Sequence, residues 1–210
     1  MSQDLDLASL FGAVTGNLLE NRETFNQADT YNHNHGDNMV EIFRVITEAM
    51  ETKRNADPAD QLAYASDLLR QRSQSGSASM YADGLAQASQ QFEGRAVTPD
   101  DATTLVKALL GGSQAQAHPQ SQPSSDLLGS LLSSLTGAKP DKSQDALDVG
   151  DLLTAGMAFL DSKQRGESNV GALVDALVSS TQAGQSPHRA QSGALVANTL
   201  FQLFGSMGGK

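Results

Sequence analysis

Apolar residues recur every three or four positions along most of the chain, a spacing that buries one face of a helix. The first such segment runs from Leu5 to Leu19, and a more strongly apolar one runs from Met39 to Met50. No segment alternates apolar and polar residues as a half-buried strand would, and β-branched runs are absent. The pattern therefore predicts an all-α protein.

Helix-boundary residues divide the remainder of the first half. Asp57-Pro58 and Thr98-Pro99 each place a capping residue before a proline, which is typical of a helix start. The small residues 73–79 predict a tight turn that leads into another helix. Gly111-Gly112 would end the helix that begins after Thr98.

The second half changes composition before it becomes helical again. Residues 112–144 are rich in Ser, Gln, Pro and Gly, which predicts a mobile insert, although an apolar stripe at 127–135 could instead form a lid or a partner-docking helix. Further helices are predicted over Val149–Leu160, from Ser168, and after Pro187. We expect one domain over residues 1–210, with about eight helices in antiparallel up-and-down packing.

Composition narrows the functional classes. Hydrophobic residues make up 39% and charged residues 18%, as in a globular protein, and there is no cysteine for disulfide or thiol chemistry. A net charge of -10 without any Lys/Arg cluster argues against nucleic acid or an anionic membrane as a partner. There is no signal-like start and no apolar run of about 18 residues. We expect a soluble cytoplasmic protein without a membrane span.

The most polar stretch, residues 29–39, lies between the first two predicted helices. Its aspartate and asparagine oxygens suit Mg²⁺, Mn²⁺ or Ca²⁺, while Gly36 and the first amides of the next helix could approach an anion. The oxygen donors are Asp29, Asn32, Asn34 and Asp37.

Other interpretations of these segments stay open. His33 and His35 could bind a transition metal if the loop bends, or the stretch could be an ordinary loop in which Asp37 or Asn38 caps the helix. The turn before Met80 could contact a phosphate through its amides, or simply connect two helices. In a bundle, the two polar segments could share one anion site. His118 and His188 are expected to be solvated and outside any site.

These motifs resemble a known family. Residues 35–39 match H-G-x-N-M within the L-D-x-x-x-G-D-G-D-H-G-x-N-M loop of the nucleotide-binding L subunit of dihydroxyacetone kinase, the DhaL-like domain that also begins fatty acid kinases. Residues 74–81 are similar to the family's G-G-x-S-G-x-L-Y element, with Ser77 and Tyr81 in register. The resemblance covers roughly residues 5–110 and 148–204.

The resemblance implies a closed barrel of eight antiparallel helices that holds ATP or ADP and two Mg²⁺ at one end. It implies phosphoryl transfer to a substrate carried by a partner protein, and the sequence also leaves a homodimer open. By this resemblance the metal ligands would be Asp29, Asn32, Asn34 and Asp37. The phosphate contacts would be His35, Gly36, Asn38, Ser75, Gly76 and Ser77. No catalytic residue is assigned.

The departures from the family fall on the metal ligands. Asn32 and Asn34 replace the paired aspartates, Gln27 aligns with the first aspartate, and Thr154 replaces a later one. The lost carboxylates should weaken Mg²⁺ binding. The sequence thus predicts a divergent nucleotide- and Mg²⁺-binding phosphotransferase domain. The alternatives are an inactive relative that binds a ligand, lipid or partner, and a hydrolase using the two loop histidines.

Overall fold

The computed structural model describes residues 6–111 and 169–208, and this part of the chain is helical without any strand. The all-α prediction is confirmed. Within the described part, no helix is long and apolar enough to cross a membrane. The helices are α1 (Leu7–Glu20), α2 (Arg22–Ala28), α3 (His35–Thr52), α4 (Pro58–Arg72), α5 (Gly76–Gln91), α6 (Ala102–Leu109), α7 (Asn169–Ser179) and α8 (Pro187–Gly208), with short 3-10 helices at Pro99–Asp101 and Gln182–Gln185.

Several predicted features lie outside the described residues. They are the 112–144 insert with its 127–135 stripe, the Val149–Leu160 helix, His118 and Thr154. The single-domain assignment for 1–210 therefore stays a prediction.

The predicted helix starts are confirmed where a side chain or proline fixes the first turn. Pro58 occupies the first turn of α4 directly after Asp57. Thr98 and Asp101 form a capping box, in which the carboxylate of Asp101 accepts the Thr98 N–H at 2.9 Å. Ser75 caps α5 by accepting the Ala78 N–H at 3.1 Å. Because α5 begins at Gly76, residues expected in the preceding turn are already helical.

The start of α3 differs from the prediction, and α2 was not predicted. Asp37 and Asn38 do not cap α3, since the helix begins at His35 and both residues lie inside its first turn. The Oδ1 atom of Asn26, in α2, accepts the Asp37 N–H at 3.2 Å. A neighbouring helix therefore supplies the cap that the sequence pattern assigned to local residues.

Consecutive long helices run in opposite directions. Asp6, before α1, pairs with Arg54, after α3, at 2.6 Å, so the start of one helix meets the end of the other. Farther along, the Ser66 hydroxyl of α4 donates to the Ala82 carbonyl of α5 at 2.7 Å. In the series α1, α3, α4, α5 and α6, each helix contacts the next, and α8 contacts both α6 and α1. An antiparallel helical bundle is shown; its closure into a barrel stays a prediction.

One apolar core joins the described helices. The Phe43 ring lies 6.2 Å from that of Phe11 and 5.0 Å from that of Tyr81, between centroids. Leu200 and Phe204 of α8 belong to the same buried cluster. This packing fixes the directions of the helices, and it brings the first turns of α3, α5 and α8 to one end of the bundle.

Candidate functional site

A cavity of about 360 Å³ lies where α3, α5 and α8 begin. The loop after α2 and the Ser75–Ser77 turn both line it, so the structure brings together the two polar segments singled out in the sequence. The predicted site residues in its wall are Asp29, Asn32, Asn34, His35, Asn38, Ser75, Gly76 and Ser77.

Asp29 organises the loop that forms one wall of the cavity. Its side chain is buried, and its two carboxylate oxygens accept the N–H groups of Tyr31 at 3.1 Å and Asn34 at 3.4 Å. Burial alone would raise the pKa of Asp29, but these backbone hydrogen bonds hold it below its ordinary value. Asp29 is therefore negatively charged at neutral pH, and its carboxylate already accepts hydrogen bonds from the loop backbone.

Asp37 and Gly36 face α2 and do not line the cavity. The Asp37 carboxylate accepts from Asn26 Nδ2 at 3.0 Å and lies 3.5 Å from Arg22 Nε. A Cβ atom at Gly36 would fall 2.0 Å from the Arg22 carbonyl oxygen, so only glycine fits there. The resemblance gave these residues a metal and a phosphate role, whereas their contacts here join α2 to α3.

His35 is held neutral beneath the cavity. It is only 4% exposed, its Nε2 lies 2.9 Å from Ser192 Oγ, and its ring meets the His188 ring at 4.7 Å between centroids. Burial lowers the pKa of His35 to about 4, with smaller electrostatic contributions from the neighbouring His188 and Arg189 side chains and against the opposing charge of Asp29. At neutral pH the ring can orient a ligand without contributing charge.

Three of the residues that line the cavity were not among the predicted site residues: Tyr31, His188 and Arg189. The expectation for His188 was wrong, since it is half-buried and packs against His35. The helix start at Pro187 could have indicated that His188 and Arg189 belong to the site. Arg189 lies in the first turn of this helix, where a positive charge is unfavourable because the helix dipole is also positive there. A cation in such a position indicates a role in binding.

Arg189 has no anionic partner within the part of the chain that the structure describes. None of the ion pairs found there includes it, and its Nε atom is buried without a hydrogen-bond partner. Its guanidinium lies over Gly76, where an added Cβ would be 2.7 Å from Nη2. The absence of a side chain at position 76 leaves room for this cation beside the first turn of α5.

Tyr81 carries another buried polar atom, its Oη, which has no hydrogen-bond partner among the described residues. It follows Ser77 by one helical turn, and side chains on a helix lean towards its N-terminus. Burial raises the pKa of Tyr81 above its usual range, while the positive charge of Arg189 acts in the opposite direction. Arg189, in the cavity wall, and Tyr81, in the core, thus each have one buried polar atom without a hydrogen bond among the described residues.

The cavity is chemically suited to an anion. The first amides of a helix lack intrahelical acceptors and carry a partial positive charge, and three helices begin at its wall. Arg189 adds a full positive charge, and among the described residues of the wall the only carboxylate is that of Asp29. Phosphate oxygens match this set of donors.

A two-metal centre fits these residues poorly. Within the residues described, no group of three or more His, Cys, Asp or Glu side chains could hold a metal ion. The carboxylate of Asp29 is shared with backbone amides, and that of Asp37 faces α2. The remaining oxygen donors predicted in the loop are the neutral amides of Asn32 and Asn34, which bind Mg²⁺ less strongly than carboxylates do.

A larger cavity, of about 590 Å³, lies at the opposite end of the bundle, but both of its arginines are paired with carboxylates. Arg54 pairs with Asp6 at 2.6 Å, and Arg95 pairs with Asp101 at 2.8 Å. Because both guanidinium groups already form ion pairs, this cavity is less suited to bind an anion than the cavity lined by Arg189.

In comparisons with known proteins, no family model, curated protein or solved structure matched this chain. Membership of the DhaL-like family therefore stays a prediction from the motifs.

Proposed function

We propose that the cavity binds the phosphate groups of a nucleotide, in a domain that holds its ligand without transferring a phosphoryl group. The observation that carries this proposal is Arg189, a cation beside three helix N-termini that lacks an anionic partner among the described residues. Nucleotide as the kind of phosphate compound comes from the resemblance of residues 35–39 and 74–81.

Phosphate oxygens would accept hydrogen bonds from two sources. The first is the backbone of the opening turns of α3 and α5, at His35 and at Gly76 and Ser77. The second is the guanidinium of Arg189, which reaches over Gly76 from α8. The Ser77 hydroxyl, almost wholly buried in the cavity wall, would add a donor.

A magnesium-dependent phosphotransferase is the second candidate, and the presence of Asp29 in the cavity wall favours it. Asp29, Asn32 and Asn34 would hold the metal, Mg²⁺ would neutralise phosphate charge, and a partner protein would supply the acceptor. Both oxygens of the Asp29 carboxylate already accept hydrogen bonds from loop N–H groups. This makes a metal-dependent phosphotransferase a weaker candidate than phosphate binding without a metal.

Calorimetric titration of ADP with and without Mg²⁺ tests the proposal. We expect binding without the metal, and a loss of affinity of about tenfold or more in Arg189→Ala, because hydrogen bonds to charged groups contribute about 1.5–3 kcal/mol. Arg54→Ala, at the opposite end of the bundle, is the matched control and should leave the affinity unchanged. If millimolar ADP binds neither with nor without Mg²⁺, the proposal is overturned.

The double variant Asn32→Asp, Asn34→Asp separates the two candidates. If the cavity binds phosphate directly, two added carboxylates should repel ADP and weaken its binding whether or not Mg²⁺ is present. If the loop is a weakened metal site, the same carboxylates should strengthen Mg²⁺-dependent binding. The sign of the change in affinity decides between them.

A further inference from the structure

Tyr31 is an exposed aromatic residue in the wall of the phosphate cavity. Its relative exposure is 91%, the largest among the exposed large hydrophobic residues in the described part of the chain. Burying an aromatic ring is favourable, so a tyrosine that is almost fully exposed to water beside a cavity offers an apolar surface to a bound ligand. The fold itself makes little use of this ring.

The backbone beneath the ring is held in place. The Tyr31 N–H donates to Asp29 Oδ1 at 3.1 Å, and the Asn34 N–H donates to the other oxygen of the same carboxylate. His33 adopts a left-handed conformation with φ 55°, which turns the chain back towards α3. A ring on an anchored backbone loses less conformational freedom on binding than one on a mobile loop.

We propose that Tyr31 is a specificity-determining residue that stacks against the planar base of a ligand whose phosphates lie at the helix N-termini. This inference rests on the proposed function. Arg189, beside the first turn of α5, and Tyr31, on the loop after α2, both line the cavity. A ligand with phosphate at one end and a flat ring at the other would use both surfaces.

Stacking would favour ring-bearing phosphate compounds over simple phosphates. Base–aromatic stacking contributes enough for about a fivefold or larger change in affinity, and it tolerates different bases because each has a flat face. Tyr31 would therefore select the class of ligand and leave the choice among bases open.

The test compares ADP with pyrophosphate, which retains the phosphates but lacks the ring, by calorimetric titration. In Tyr31→Ala we expect the affinity for ADP to fall about fivefold or more while that for pyrophosphate is unchanged. Tyr31→Phe should retain ADP affinity because it keeps the ring. Leu19→Ala, which truncates an exposed apolar side chain outside the cavity wall, is the matched control and should bind both compounds normally.

A spectroscopic measurement accompanies the titration. Protons of the adenine ring should shift upfield on binding to the wild type and to Tyr31→Phe, but not to Tyr31→Ala, because a stacked ring shields them. If both compounds bind and Tyr31→Ala weakens neither, or weakens both equally, the role of Tyr31 is overturned and the phosphate site stands. If neither compound binds the wild type, both proposals are overturned.

Discussion

Gly36 has a structural constraint that its place in the H-G-x-N-M segment does not reveal. A Cβ atom at this position would overlap the Arg22 carbonyl, which is backbone and cannot rotate away. We predict that Gly36→Ala destabilises the protein by about 1–3 kcal/mol, because α2 must move away from α3. Urea denaturation followed by circular dichroism measures the change.

Gly16 provides the control for that substitution. It lies within α1, and apart from its chain neighbours and the backbone of its own helix, nothing lies within 4 Å of where its Cβ would be. Gly16→Ala should therefore stabilise the protein by about 0.5–1 kcal/mol through helix propensity. Equal effects of the two substitutions would show that the close contact at Gly36 is unimportant.

His35 should make stability depend on pH. Its pKa is about 4 in the folded protein and about 6.5 when unfolded, so the unfolded chain takes up the proton first as the pH falls. The stability is fully present above pH 6.5 and is lost on acidification towards pH 4. We predict a loss of about 2 kcal/mol between pH 7.5 and pH 5, measured by urea denaturation.

The variant His35→Gln tests the assignment of this pH dependence. It removes the titrating ring that faces Asp29, His188 and Arg189, so the difference in stability between pH 7.5 and pH 5 should largely disappear. An undiminished difference in His35→Gln would place the titrating group elsewhere.

At the scale of the helices, α2 holds the start of α3 in place. Asn26 accepts the Asp37 N–H and donates to the Asp37 carboxylate, replacing a local cap. We predict that Asn26→Ala costs about 1–2 kcal/mol and increases hydrogen exchange in the first turn of α3. Asn38→Ala, which breaks an exposed hydrogen bond to Asn34 in the same turn, should cost only a few tenths of a kcal/mol. Equal costs would argue against capping by α2.

Local residues account for the helix boundaries that were predicted correctly. Pro58 and the Thr98–Asp101 capping box act over one turn, so sequence alone can identify them. The start of α3 could not be predicted in this way, because its cap is eleven positions away in a separate helix. The seven-residue α2 was missed for a related reason: its helical state depends on packing against α3, and only Phe25 and Asn26 are buried.

At the scale of the whole molecule, α8 shares its core with helices from the first half of the chain. Leu200 is fully buried in the cluster that includes Phe11 and Phe43, whereas Leu203 is only partly buried. We predict that Leu200→Ala costs about 2–5 kcal/mol and that Leu203→Ala costs less.

Tyrosine fluorescence can show whether α8 and the first half unfold together. The chain has no tryptophan, and its three tyrosines all precede residue 82. If the shared core makes unfolding cooperative, Leu200→Ala should shift the tyrosine transition and the circular dichroism transition to the same lower urea concentration. A tyrosine transition that does not move would show that α8 unfolds separately.

The sequence by itself determined the all-α class, the boundaries set by local caps and prolines, and the two polar segments of the candidate site. These features depend on interactions within a few residues, or on apolar periodicity along one helix. Only the tertiary structure decided that Gly36 and Asp37 face α2, that Asp29 is used by its own loop, and that Arg189 lies over Gly76. The physical reason is that these contacts join segments far apart in the chain, and their positions are fixed by how the helices pack.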